Sequence, residues 1–193
     1  MTGRIQGVTP KDYNGRHYRS TLEADTARTL DLLGIPFEYE SQRITLLEGF
    51  KCPYQKDKVR AITYTPDFII GPIVIECKGF ETPEWLLKKK YLFKYLMEND
   101  PDTIFYQIKD SRKSLLKALD SHWSYLGYAI EVSSKKRNHK DWKPVFTKRY
   151  ESVEESLHDL GLVGKSLGSI LKSLTGKSEY VYGYKWKLIK VAL

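Results

Sequence analysis

The chain has 193 residues, of which 41% are hydrophobic and 13% aromatic, so it can form one domain with a buried core, with or without a small appendage. No window approaches the ~18 apolar residues of a membrane span, and residues 1–20 lack the apolar core of a signal peptide. Composition therefore excludes a membrane protein, and we expect a cytoplasmic one. Two cysteines, Cys52 and Cys77, fit a reducing compartment without a disulfide framework.

The formal net charge is +8, and it is unevenly distributed. Residues 1–132 carry a net charge of +1, residues 133–144 carry +4, and residues 145–193 carry +3. A basic chain favours a polyanionic partner. Most of the basic excess lies after residue 132.

The pattern up to residue 132 predicts an α/β fold, a mixed sheet flanked by helices. Residues 1–17 are rich in glycine and polar residues, so we expect a flexible segment there. Thr82 and Pro83 are typical of a helix start. The predicted elements are a helix over 20–33, strands over 35–47, 61–70 and 73–78, a helix over 82–97, a strand over 103–108, a helix over 114–126 and a strand over 128–132.

After residue 132 the pattern changes. Residues 133–144 are polar and basic and are predicted to be a linker, and residues 145–193 are predicted to be a separate small unit. Two short helices joined by a turn that contains Gly161 are typical of a helix-turn-helix-like unit. The predicted elements of the tail are a strand over 145–150, helices over 153–160 and 166–174, and a strand over 183–189.

The stretch TPDFIIGPIVIECKG, residues 65–79, places two carboxylates and an amine within an apolar hairpin. If Gly71-Pro72 forms a two-residue loop, Asp67 lies opposite Glu76 at about 5 Å, and Lys78 shares their face. Two carboxylates so close need a cation or a shared proton. Oxygen ligands on rigid strands suit Mg²⁺, and a neighbouring lysine can stabilise an attacking water or the charge that builds on phosphorus.

Asp67, Glu76 and a third acidic residue, Glu23, each have an ordinary structural interpretation as well. Asp67 could be a turn residue, and Glu76 and Lys78 a solvated pair on an exposed sheet face. Glu23 follows Ser20 by three residues, which is the spacing of a helix capping box. A first-turn glutamate on a helix beside the hairpin can equally point at a metal, so both roles of Glu23 stay open.

Taken in chain order, these motifs resemble the PD-(D/E)XK nuclease superfamily, and within it the phage endonuclease I family of Holliday-junction resolvases. The resemblance covers residues 16–132 and implies a restriction-endonuclease-like core over residues 18–132. The matching segments are Tyr18-Arg-Ser-x-Leu-Glu23, Gly34-Ile-Pro-Phe-Glu-Tyr-Glu40, Tyr64-Thr-Pro-Asp-Phe68 and Glu76-x-Lys-Gly79.

The resemblance implies a Mg²⁺-dependent endodeoxyribonuclease, with Mn²⁺ as a substitute metal, in the cytoplasm of the host cell if a phage encodes it. Asp67 and Glu76 would bind the metal with help from the Cys77 carbonyl, and Glu23 would hold a second metal or a metal-bound water. Lys78 would position the water that attacks phosphorus in line. A homodimer is implied as well. Its form stays open because the chain between Glu40 and Tyr64 is longer than in endonuclease I, where this region joins the two halves of an intertwined dimer.

The tail is similar to a NUMOD-type DNA-binding repeat, a companion of homing endonucleases, through Tyr150-Glu-Ser-Val-Glu-Glu-Ser156, Gly164-Lys-Ser166 and Tyr182-Gly-Tyr-Lys-Trp186. This similarity would place Lys165, Ser166, Ser169 and Lys172 on a helix that faces DNA. A solvated basic face explains these lysines as well. The candidate DNA-binding residues of the whole chain are Arg19, Lys88, Lys89, Lys136, Arg137, Lys165 and Lys172.

Three functions are therefore considered: an enzyme that selects branched DNA, a sequence-specific homing-type endonuclease whose tail chooses the site, and a non-catalytic DNA-binding protein on the same fold. The complete set of Glu23, Asp67, Glu76 and Lys78 favours an enzyme.

Overall fold

A computed structural model describes residues 9–110, 113–135 and 144–191. Five helices and eleven strands lie within these ranges, so the predicted α/β class is confirmed. The chain divides into two compact units: unit 1 comprises Met1–Ile35 and Asp110–Leu193, and unit 2 comprises Pro36–Lys109. Among the described residues, no helix is both long enough and apolar enough to span a membrane.

Unit 1 begins with a hairpin that we did not predict from the sequence. β1 (Lys11–Tyr13) and β2 (Arg16–Tyr18) pair antiparallel, and Asn14 and Gly15 between them both have positive φ angles. This conformation matches the Asn-Gly loop of a tight hairpin. The segment predicted to be flexible therefore contains β-structure from residue 11 onward.

The first helix, α1 (Thr21–Leu33), forms as predicted. Ser20 is its N-cap, with a side chain that accepts a hydrogen bond from the Glu23 amide. Gly34 ends the helix in the left-handed conformation, which costs glycine little. The rest of unit 1 consists of α3 (Lys113–Asp120), β9 (Tyr128–Lys135), β10 (Pro144–Tyr150), α4 (Val153–Asp159), α5 (Leu167–Leu174) and β11 (Tyr184–Lys190).

The tail shares a sheet with the residues that precede it. β10 and β11 pair antiparallel with the two edges of β9. The boundary that we placed at residue 132 therefore falls inside β9, and residues 145–193 add two strands to it. Helix α3 is shorter than predicted, because the chain turns after Asp120. Fully buried side chains of this unit include Trp123, Ile130 and Trp186.

The mixed sheet that we predicted has four strands and lies in unit 2, whereas α1, α3 and β9 of the predicted core over residues 18–132 lie in unit 1. The elements of unit 2 are β3 (Glu38–Tyr39), β4 (Ile44–Leu47), β5 (Ile62–Tyr64), β6 (Phe68–Ile70), β7 (Ile73–Cys77), α2 (Pro83–Asn99) and β8 (Ile104–Ile108). The strand order is β3-β6-β7-β8, in which β7 and β8 run parallel and the other pairs antiparallel. β4 and β5 form a separate pair.

Two predicted strands of unit 2 are each divided in two. The strand predicted over 35–47 becomes β3 and β4, and the left-handed backbone of Glu40, with φ of 47°, separates them. The strand predicted over 61–70 becomes β5 and β6, with Pro66 between them. Proline lacks the N–H that a central strand requires, which explains this break.

Asp120 is a buried carboxylate whose role is explained by the fold of unit 1. Its Oδ1 atom accepts hydrogen bonds from the Val153 amide at 2.7 Å and from Trp123 Nε1 at 2.8 Å. Its Oδ2 atom accepts the Glu154 amide at 3.0 Å. Burial raises the pKa of the Asp120 carboxyl, and these three donors oppose that shift. The end of α3 therefore supplies hydrogen-bond acceptors to the start of α4.

We expect Asp120→Ala to lower the free energy of unfolding by about 3 kcal/mol, because three N–H donors lose their acceptor. Urea unfolding measures this change. A suitable control is Asp25→Ala, which removes a surface ion pair with Lys11 (3.6 Å) and should cost less than about 1 kcal/mol. Equal, small losses in both variants would contradict the anchoring role of Asp120.

Candidate active site

The β6–β7 hairpin has the register that the sequence predicts. Ile70 pairs with Ile73 across Gly71-Pro72, and Phe68 pairs with Ile75, so the next opposed positions are Asp67 and Glu76. Asp67 is 8% exposed and Glu76 is 6% exposed. Opposed residues share one face of a sheet, so the two carboxylates are neighbours in the protein interior. The interpretation of Glu76 as part of a solvated pair is wrong.

Hydrogen bonds fix the orientation of both carboxylates. Asp67 Oδ2 accepts the backbone N–H of Cys77 at 2.7 Å. Glu76 Oε2 accepts the hydroxyl of Tyr64 at 2.9 Å. Buried charges are costly unless hydrogen-bonded or paired, and these donors offset part of that cost. The Cys77 amide thus contacts Asp67, and the metal-binding role of the Cys77 carbonyl stays a prediction.

Tyr64 lies close to both carboxylates. Burial raises the pKa of its hydroxyl far above the usual value, and the negative charges of Glu76 and Asp67 add to this shift. The phenol therefore stays protonated and acts as a hydrogen-bond donor over the physiological pH range. Sequence reasoning missed Tyr64 as a site residue, because β5 pairs with β4 and no local pattern places its hydroxyl beside Glu76.

Lys78 follows β7 directly and is half-buried. Its backbone N–H donates to the Ile108 carbonyl at 2.9 Å, which continues the pairing of β7 with β8. Its Nζ atom lies 5.3 Å from the centroid of the Trp85 ring, within the range of a cation–π interaction. The predicted amine is therefore held against an aromatic side chain in the first turn of α2.

Gln107 is a second residue that sequence reasoning missed. It is the register partner of Glu76 on β8, and its Oε1 atom accepts hydrogen bonds from Trp85 Nε1 at 3.1 Å and Lys89 Nζ at 3.2 Å. Lys89 also forms an ion pair with Glu81 at 2.6 Å. Lys88 and Lys89 are both half-buried, and Lys89 has polar partners within unit 2. The DNA contacts that we predicted for Lys88 and Lys89 stay predictions.

Glu23 forms the predicted capping box. Its Oε1 atom accepts the Ser20 hydroxyl at 2.7 Å, and Ser20 Oγ accepts the Glu23 amide at 3.2 Å. The Oε2 atom accepts the amide of Arg19 at 3.0 Å, one residue earlier than the expected amide of Ser20. Glu23 and the exposed Arg19 belong to unit 1, whereas Asp67, Glu76 and Lys78 belong to unit 2. A metal-binding role for Glu23 stays a prediction.

The candidate metal ligands in unit 2 are the two carboxylates of Asp67 and Glu76. Over residues 9–110, 113–135 and 144–191, no group of three or more His, Cys, Asp and Glu side chains is placed to hold a metal ion. Two carboxylates are nevertheless a donor set that Mg²⁺ uses in proteins, since this ion keeps several waters and shares the oxygens of a bound phosphate. The pair therefore fits Mg²⁺ with water and phosphate oxygens as its other ligands, but it does not fit a metal site in which the protein supplies every ligand.

The tail brings a second set of predicted residues together around Tyr182. The Ser166 amide donates to the Tyr182 hydroxyl at 3.0 Å, and Lys165 Nζ lies 5.5 Å from the ring centroid. A hydrogen bond with Ser169 lowers the pKa of Tyr182, and the charges of Lys165 and Lys172 lower it further. Both lysines are exposed. The other two basic candidates, Lys136 and Arg137, lie outside the described residues.

Comparison of this chain with protein-family models, with curated proteins and with solved structures gives no match in any of the three. The nuclease and NUMOD resemblances, and the restriction-endonuclease-like core that the first of them implies, therefore stay predictions.

Proposed function

We propose that this chain is a metal-dependent endodeoxyribonuclease whose active site is built on the β6–β7 hairpin. The observation that carries the proposal is the pair of buried carboxylates, Asp67 and Glu76, at the two positions that follow the last pair of the β6–β7 ladder, Phe68 and Ile75, with Lys78 two residues after Glu76. Two buried carboxylates side by side need a cation or a shared proton, because desolvation and mutual repulsion both disfavour the charged forms.

Mg²⁺ is the metal that this donor set fits, and Mn²⁺, which also prefers oxygen ligands, is its substitute. Asp67 and Glu76 would hold the ion, and the resemblance adds the Cys77 carbonyl and Glu23 as further ligands. When bound, the ion would polarise the scissile phosphate and lower the pKa of a bound water.

Lys78 would act beside the carboxylates. Lys78 follows Glu76 by two residues along the direction of β7, so both side chains lie on the same face of the sheet. The Lys78 ammonium lies against Trp85. A cation at this position would orient the attacking water and stabilise the negative charge that builds on phosphorus. The chain itself thus supplies both the anionic groups that hold a metal and the cationic group that the reaction needs.

DNA is the substrate that the charge distribution favours. The net charge of +8 suits a polyanion, and two exposed lysines are candidates to contact it: Lys165, which precedes α5, and Lys172, which lies in the last turn of α5. Through its resemblance to endonuclease I, the chain would cut branched DNA, as a homodimer because two strands must be cut. A homing-type enzyme is the second candidate, favoured by the pair of short helices α4 and α5 in the tail.

A non-catalytic DNA-binding protein is the third candidate. It is favoured by the hydrogen bonds of Asp67 and Glu76, because protein donors already compensate part of their charge. The three candidates differ in what they do to DNA in the presence of a divalent metal, so one cleavage assay separates them.

We expect the wild-type chain to cut DNA when Mg²⁺ is added and to stop when the metal is chelated. Asp67→Asn and Lys78→Met should each lower the cleavage rate at least about hundredfold while DNA binding persists, because metal and cation act on the transition state. Asp57→Asn, an exposed change in the same unit, is the matched control and should cut normally. Full cutting by both site variants would contradict the site assignment.

The kind of DNA that the protein cuts distinguishes the three candidate functions. Faster cleavage of a four-way junction than of linear duplex with the same sequence supports the resolvase-like enzyme. Cleavage of particular duplex sequences, without junction preference, supports the homing-type enzyme. No cleavage of either DNA with Mg²⁺ or Mn²⁺ contradicts both enzymes and supports the binding protein.

A separate prediction concerns DNA binding by the tail. Replacing Lys165 and Lys172 with alanine should weaken DNA binding and reduce the steepness of its salt dependence, because up to two phosphate contacts are lost. Fluorescence anisotropy over a salt series measures both quantities. A control with the same change in charge replaces Lys51 and Lys56 of unit 2. Equal effects in the two double variants would show that only net charge matters and that α5 does not contact DNA.

A further inference from the structure

Two buried aromatic side chains, Tyr64 and Trp85, connect the reacting groups of the candidate site. Their ring centroids are 6.0 Å apart, and the rings are inclined by 37°. Tyr64 donates its hydroxyl to Glu76 Oε2, and the Trp85 ring lies under the ammonium of Lys78. The pair therefore touches the carboxylate on one side and the amine on the other.

Trp85 is itself fixed in place. Its Nε1 atom donates to Gln107 Oε1 at 3.1 Å, and Gln107 is the residue that pairs with Glu76 across β7 and β8. The ring also packs with Leu92 and Leu96 in a hydrophobic cluster that includes Tyr64. Contacts thus run from Glu76 through Tyr64, Trp85 and Gln107 back to the strand position beside Glu76.

We infer that Tyr64 and Trp85 are positioning residues of the nuclease, Tyr64 for the metal-binding carboxylate of Glu76 and Trp85 for the amine of Lys78. This inference rests on the proposed function. Neither ring touches the reacting phosphate in this assignment. Each acts through the side chain that it holds.

The physical reason for Tyr64 is the orientation of a carboxylate. A glutamate has three rotatable side-chain bonds, and a ligand that is oriented before the metal arrives loses less conformational freedom on binding. The Tyr64 hydroxyl fixes Oε2 and so sets the plane of the carboxylate. Hydrogen bonds of this kind to metal ligands commonly change metal affinity by about tenfold or more when removed.

The reason for Trp85 is different, because it acts on a cation. Lysine has a long flexible side chain that would otherwise extend into water, and the electron-rich face of an indole attracts an ammonium. Holding the Lys78 ammonium against the Trp85 ring before DNA arrives contributes to orienting the reaction rather than to binding the metal. The two aromatic residues should therefore affect different kinetic quantities.

Packing alone explains why the rings are buried, but it does not explain a hydroxyl directed at a carboxylate. Tyr64→Phe separates the two roles because it keeps the ring and removes only the hydroxyl. Tyr95 packs against the same hydrophobic cluster, so Tyr95→Phe is the matched control. Trp85→Phe keeps an apolar ring, but it loses the N–H that donates to Gln107 and offers the Lys78 ammonium a weaker cation–π contact than the indole does.

The test compares the Mg²⁺ dependence of DNA cleavage in these variants. We expect Tyr64→Phe to raise the half-saturating Mg²⁺ concentration about tenfold and to change the rate at saturating Mg²⁺ less. Trp85→Phe should lower the rate at saturating Mg²⁺ about tenfold and leave the half-saturating concentration unchanged. Tyr95→Phe should match the wild type. Thermal unfolding of each variant shows whether it is folded, and if one aromatic variant is unfolded the other carries the test.

Direct Mn²⁺ binding, measured by electron paramagnetic resonance without DNA, keeps this inference distinct from the proposed function. Weaker Mn²⁺ binding by Tyr64→Phe than by Tyr95→Phe supports the inference. If wild-type protein binds Mn²⁺ and cuts DNA, but folded Tyr64→Phe and Trp85→Phe behave like the wild type, the positioning roles are wrong and the nuclease stands. If the wild type neither binds Mn²⁺ nor cuts DNA, the proposed function fails and the inference with it.

Discussion

The hydrogen bond between the Tyr64 hydroxyl and Glu76, with its counterpart between the Cys77 amide and Asp67, is the constraint on which the rest of unit 2 depends. All five residues of β7 are buried, so a carboxylate can lie in this strand only if donors face it. Tyr64 must therefore be brought to the sheet from a different strand pair. The helix α2 completes the arrangement, since Trp85 packs on Tyr64 and contacts Lys78.

The parts of the fold that local chemistry determines could be predicted from the sequence. Gly71-Pro72 between two apolar runs sets the hairpin register, and that register alone places Asp67 opposite Glu76. Ser20 and Thr82 mark the starts of α1 and α2 because each side chain caps amides three residues ahead. Trp85 could have been found as well, because its spacing to Leu92 and Leu96 predicts the buried face of α2.

The remaining features depend on contacts between distant residues or on signals that we did not use. β9 and β11 pair Ile130 with Leu188, and no local pattern shows that a tail strand will add to a sheet formed so much earlier in the chain. The same holds for the hydroxyl of Tyr64, which reaches Glu76 from outside its sheet. By contrast, Asn14-Gly15 is a recognised hairpin loop, and the β1–β2 hairpin was predictable from it.

The central claim is that Asp67 and Glu76 together hold a divalent metal, and anomalous diffraction from crystals grown with Mn²⁺ tests it most directly. The account predicts an anomalous peak at bonding distance from carboxylate oxygens of both residues, and loss of that peak in crystals of Asp67→Asn. A peak that persists in Asp67→Asn, or Mn²⁺ bound only at other residues of the wild type, would contradict it. The first result would leave Asp67 as a structural group that the Cys77 amide satisfies, and the second would leave both carboxylates as structural groups.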